Sequence, residues 1–102
     1  MTPAITLLTK KRIAHSILKY EHDANAASYG LEAVEKLNLN ADTVFKTLVV
    51  STDNNKLAVA VVPVNTKLSE KKMAKALGVK KVEMAQANAV MVATGYVLGG
   101  VS

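Results

Sequence analysis

Lys46 is the residue whose type and setting point most directly to chemistry. In Val44-Phe45-Lys46-Thr47-Leu48-Val49-Val50, strand alternation puts its ammonium on the same face as Val44, Leu48 and Val50. A charge amid an apolar face is costly unless it has a partner or an opening to water. Two readings stand. Either the stem covers core while the head reaches solvent, or the cation is held over a cleft, aimed at a substrate phosphate or at a carbonyl oxygen gaining charge. Thr47, on the opposite face, contributes a hydroxyl. Gly95, Gly99 and Gly100 fall within six residues. Such glycines either let backbone N–H groups form an anion-binding nest or simply turn the chain. Their spacing matches neither a phosphate loop nor a dinucleotide fingerprint.

His15 and His22 lie seven apart and the chain has no cysteine, so no zinc site, other metal or cofactor is expected. The same absence excludes a disulfide scaffold and a cysteine nucleophile. No Ser-His-Asp arrangement suggests itself. His22 stands in Tyr20-Glu21-His22-Asp23, where an imidazole beside carboxylates is either a site residue or an exposed loop residue. Tyr20 and Tyr29 flank that loop, as core packing or as an aromatic wall for a ligand.

These residues must be positioned by a single domain, 1–102, since the length allows no second core. Half the residues are apolar and only four are aromatic, so the core is built from small side chains. The 21% charged content is that of a folded globular protein. The net charge is +5, and Lys67, Lys71, Lys72, Lys75, Lys80 and Lys81 concentrate it in residues 66–83, whereas the last 19 residues carry none. That patch either meets a polyanion or forms a solvated helix face. With a single Arg in the chain, it would act as point charges on phosphates and not as a reader of bases. No apolar run is long enough to span a membrane, the longest being Leu57 to Val64 with Pro63 inside it. The N-terminus lacks the pattern of a signal peptide, so a cytoplasmic location is expected.

The spacing predicts a helix from Thr2 as cap to about Lys11, then a strand over 13–20 from its alternation. A polar loop covers 21–28. A helix over 30–37 follows, with Asn38 able to take the left-handed stop. Asn40 to Thr43 reads as one capped turn. Strands over 44–52 and 56–64 are joined at Asp53-Asn54-Asn55, and their two apolar faces predict a sheet covered on both sides. Ser69 caps a helix ended by Gly78, and 79–84 reads as a short strand. A helix over 85–93 is broken at Thr94-Gly95, and 96–101 returns to strand composition. The class is α+β (mixed α/β): a single mixed sheet flanked by short helices.

Six blocks carry a resemblance. Met1-Thr2-Pro3-Ala4 with Leu7-Leu8, Tyr20-Glu21-His22-Asp23, Phe45-Lys46-Thr47-Leu48, Leu57-Ala58-Val59-Ala60-Val61, Lys75 to Ala85, and Thr94 to Ser102 stand in the order and spacing of the YbaK family. Its members are bacterial Cys-tRNA(Pro) deacylases, related to the editing domain inserted in bacterial prolyl-tRNA synthetases. The resemblance spans essentially the whole chain. It implies a trans-editing enzyme that hydrolyses the ester joining a wrong amino acid, typically cysteine, to proline tRNA, often beside prolyl-tRNA synthetase. It also implies that Lys46 is the site lysine and that Tyr20 and Tyr29 are aromatic pocket positions. Gly99 and Gly100 then open a glycine-to-proline loop whose backbone N–H groups face the aminoacyl end, with Ser102 its fourth position. His22, Thr47 and Gly95 are expected to contact substrate beside them.

An aminoacyl ester is already activated, so positioned water and an oxyanion site suffice without a protein nucleophile. The chain departs from the family at Leu31, where an acid is common, at Ala24, where Pro is common, and in the apolar Met91-Val92-Ala93. It corresponds to the N-terminal two-thirds of the family fold, lacking the Pro after the serine, further strands, an Asp and a second glycine segment. A sheet so shortened would expose an edge, which predicts a homo-oligomer. The alternative function is a shortened paralogue that binds tRNA or a synthetase, or self-associates, without turnover. A small basic nucleic-acid binder of another kind is disfavoured by the four aromatics and single Arg.

Overall fold

The computed structural model describes residues 2–26 and 28–102; Met1 of the opening block and Ala27 of the polar loop lie outside them. Local hydrogen bonds set most element boundaries. Thr2 Oγ1 accepts from the Ile5 N–H (3.3 Å) to open α1, Pro3–Lys10, with Pro at the first turn. Ser28 Oγ accepts from the Leu31 N–H (3.4 Å) to open α2, Tyr29–Lys36, and Asn38 follows it at φ 52°. Asn40 caps a single turn of 3-10 helix, Ala41–Thr43, that delivers the chain into β1, Phe45–Thr52. Asn55 at φ 61° closes the hairpin to β2, Leu57–Pro63. Ser69 caps α3, Glu70–Leu77, and Gly78 ends it in the left-handed region. After β3, Val82–Met84, comes α4, Ala87–Thr94, ended by Gly95.

The class is α+β with one three-stranded sheet in the order β2-β1-β3. β1 pairs with β2 along its length, Phe45 opposite Pro63 through Ser51 opposite Leu57, and with β3 only at Val50, Ser51 and Thr52. Both ladders are antiparallel, and two expected strands do not form. Residues 13–20 run without regular structure, with Ile13, Ile17 and Leu18 about half exposed. They pair with no strand of the sheet, so their alternation has nothing to register against and buries neither face. Residues 96–101 turn instead of extending: Gly99 sits at φ 86° and the Gly100 N–H donates to Val97 C=O (3.0 Å).

The core lies on both faces of β1. Val50, wholly buried, packs with Ala74 of α3 and Val82 of β3. Val49 points the other way, into Ala85 just after β3 and Val90 of α4, with Val101 against them. The expected double cover stops there: on β2, Leu57, Val59 and Val61 are 43%, 56% and 62% exposed. Those side chains share the α4 face of the sheet, and α4 reaches only the neighbourhood of Val49. No helix among the described residues is long and apolar enough to cross a membrane.

Candidate functional site

Because β3 ends its pairing at Val50, the first half of β1 keeps an open edge, and a cleft of about 340 Å³ lies along it. Three consecutive β1 residues, Lys46, Thr47 and Leu48, form one wall. The start of α2 (Ser28, Tyr29, Gly30) and Leu98 with Gly99 form the rest. A wider groove shares Tyr29, Gly30, Lys46, Thr47 and Gly99 with this cleft and adds Tyr20, Gly100 and Ser102.

Close approach builds the walls. A Cβ on Gly30 would lie 2.4 Å from Val64 Cγ1, so glycine is what lets α2 dock on the chain just beyond β2. Val64 in turn presents its C=O to Lys46 Nζ at 3.5 Å. Lys46 is half-buried, and no carboxylate among the described residues lies within ion-pair distance of it. Its charge is therefore uncompensated at the cleft, and the α2 N-terminus adds positive potential to the same wall. Across the cleft the Tyr29 ring lies directly on Gly99, where a Cβ would meet Tyr29 Cε2 and Cδ2 at 2.7 and 2.8 Å.

The structure thus brings Lys46, Thr47, Tyr20, Tyr29, Gly99, Gly100 and Ser102 around one space. His22 is outside the lining, but its ring centroid is 4.9 Å from that of Tyr29. Gly95 is not in the lining; it caps α4 through its N–H to Met91 C=O (2.9 Å). His15 Nδ1 contacts its neighbour Ile13 C=O on the surface, away from these groups. The Gly100 N–H is committed to its turn, whereas no backbone hydrogen bond among the described residues engages the Gly99, Val101 or Ser102 N–H. Among the described residues there is no cluster of three or more His, Cys, Asp or Glu able to hold a metal.

Glu32 was not legible as important from its spacing. It is 6% exposed, and its carboxylate accepts from His22 Nδ1 (2.6 Å) and the Asp23 N–H (2.7 Å), with Lys36 Nζ at 3.3 Å. The one local signal was Lys36 four residues on. Burial alone would push its pKa up; the Asp23 amide, the His22 ring and the Lys36 ammonium outweigh this and bring it from 4.5 down to about 2. A carboxyl with a lowered folded-state pKa contributes stability above its unfolded value and loses it as pH falls through the folded one. The urea midpoint of the wild type should therefore drop more steeply between about pH 4.5 and pH 2 than that of Glu32→Gln. Parallel pH profiles for the two proteins would contradict this.

Comparisons with known proteins place the chain among editing domains. The family model described as "Aminoacyl-tRNA editing domain" matches residues 23–102. A protein of Enterococcus faecalis, EbsC, provisionally named a Cys-tRNA(Pro)/Cys-tRNA(Cys) deacylase, is 35% identical over 102 residues, covering 99% of this chain and 61% of its own length. The crystal structure of hypothetical protein APE2540 superposes with a TM-score of 0.79 at 24% identity, covering 96% of this chain and 63% of that one. It shares the fold. The chain spans about three fifths of the length of each of these two relatives.

Proposed function

Since this chain belongs to the aminoacyl-tRNA editing domain family, we propose that it hydrolyses the ester between a mischarged amino acid and tRNA, with cysteine on proline tRNA as substrate. The observation that carries this reading is the Lys46 ammonium, without a counter-ion among the described residues, in a cleft closed by Tyr29 on Gly99. Water attacks the ester carbonyl carbon, the C–O bond to the terminal ribose breaks, and the ribose oxygen leaves with a proton. Charge gathers on the carbonyl oxygen meanwhile, and Lys46 with the free amides near Gly99 stabilises it. Cysteine offers a second route. Its own thiolate can attack the carbonyl, releasing tRNA and a four-membered thiolactone that water then opens.

The lysines of residues 66–83 supply the tRNA contact in this reading. Lys71, Lys80 and Lys81 flank a groove between α3 and β3, and Lys81 C=O takes the Asp53 N–H just past the end of β1. At about 3.3 Å per strand residue, this patch lies roughly 20 Å from Lys46, so only a long polyanion reaches both. Selection among sequences by lysine point charges is weak and salt-sensitive. Prolyl-tRNA synthetase is the partner that would deliver the substrate.

A second reading, binding or self-association without turnover, draws on β2. Its outer edge carries no pairing among the described residues, and its neutral sequence offers no charge to repel a second copy. A homodimer through β2 would cover that edge. The deciding experiment is deacylation of Cys- and Ser-charged proline tRNA by the purified chain, with light scattering on the same sample. Turnover of Cys-tRNA supports the enzyme, and a marked excess over Ser-tRNA supports thiol participation. Binding without turnover favours the second reading, and a monodisperse monomer at high concentration removes the homodimer.

A further inference from the structure

The buried carboxylate of Glu32 belongs to no cleft wall, yet it holds His22, whose ring packs on the Tyr29 that does. An ionised carboxylate only accepts, so the 2.6 Å contact places a proton on His22 Nδ1. Held there, the ring packs on Tyr29 at an interplanar angle of 44°. The Asp23 N–H on Glu32 Oε2 ties the same loop to α2, and Lys36, four residues on from Glu32, reaches both Glu32 and the Glu21 C=O. The Tyr20 hydroxyl donates to the Tyr29 C=O at 3.4 Å. Glu32 thus fixes His22 and Asp23 against the helix that begins with Tyr29, while Lys36 and the Tyr20 hydroxyl hold residues 20 and 21 beside them. Without it, nothing else among the described contacts orients His22 against that ring.

We propose that Glu32 is a positioning residue for the aminoacyl pocket, acting through His22 to set where the Tyr29 ring stands and so which amino acids the pocket accepts. The inference rests on the deacylase reading for its substrate but not for its geometry. Tyr29 lies between His22 and Gly99, so a shift of the His22 ring changes the width left between Tyr29 and Lys46. Discrimination between small and larger aminoacyl groups depends on that width.

The test uses Glu32→Gln, His22→Phe and the double variant. Gln keeps the size but presents an amide N–H₂ to at least one of the donors; Phe keeps the ring on Tyr29 but removes Nδ1–H. Glu32→Gln should lower kcat/KM for Cys-tRNA(Pro) about tenfold and raise relative turnover of the bulkier Pro-tRNA(Pro). In the His22→Phe background the same change should cost under twofold, because its route is already cut. An equal loss in both backgrounds would make Glu32 a stability residue only and overturn the proposal. Nitrogen-15 NMR of His22 should show Nδ1 protonated in the wild type, with the Tyr29 ring resonances moving in Glu32→Gln, where both rings are retained. If the wild type turns over no aminoacyl-tRNA, the deacylase reading fails alone and the NMR arm still decides: Tyr29 resonances unmoved in Glu32→Gln, with the fold intact by circular dichroism, overturn the positioning.

Discussion

Lys46→Ala is expected to lower kcat/KM for Cys-tRNA deacylation by about 10²–10³-fold, the usual cost of removing one electrostatic stabiliser of a developing oxyanion. The physical ground is the missing counter-ion. A half-buried ammonium whose nearest described acceptor is a backbone oxygen at 3.5 Å has most of its charge left for a ligand. Lys46→Arg keeps the charge but replaces a compact ammonium by a planar fork beside Val64, and should recover only part of the rate. Folding should survive both changes, since Val49, Val50 and Val64 make the core around β1 without the lysine head. Single-turnover deacylation with circular dichroism as the folding control decides it. A Lys46→Ala protein within threefold of wild type would remove Lys46 from the chemistry.

Gly99→Ala should be nearly as damaging, for a steric reason. At φ 86° an L-residue is strained by about 1–2 kcal/mol. Its Cβ would also stand 2.7 Å from the Tyr29 ring, inside contact distance, so the ring must leave its place and the cleft must open. A loss of about 10²-fold in kcat/KM is expected, since small misplacements of a pocket wall carry costs of that order. Gly78 separates the two effects. It has a similar left-handed φ of 70° but nothing within 4 Å of a built Cβ, so Gly78→Ala should lose stability and little activity. If Gly99→Ala and Gly78→Ala behave alike, the Tyr29 contact has no functional weight.

Much of the local architecture was readable in the chain. Thr2, Asn40 and Ser69 mark helix starts, and Asn38, Gly78 and Gly95 mark stops, because each acts on backbone groups within about four residues, whereas Ser28, read as loop, proves to cap α2. The β1–β2 hairpin followed from two β-branched runs around a turn. Residues 13–20 and 96–101 misled for a shared reason: their composition suits a strand, but a strand exists only where a neighbouring edge accepts its hydrogen bonds.

By itself, then, the sequence determined the caps, the hairpin, the basic segment and the lone cation among apolar neighbours, all of them properties of short windows. Tertiary structure alone decided that Tyr29 lies on Gly99, that Gly30 admits Val64, and that Glu32 is buried under His22. Those contacts join residues ten to seventy positions apart. Which distant groups meet depends on how far β3 extends along β1, and no local preference encodes that length.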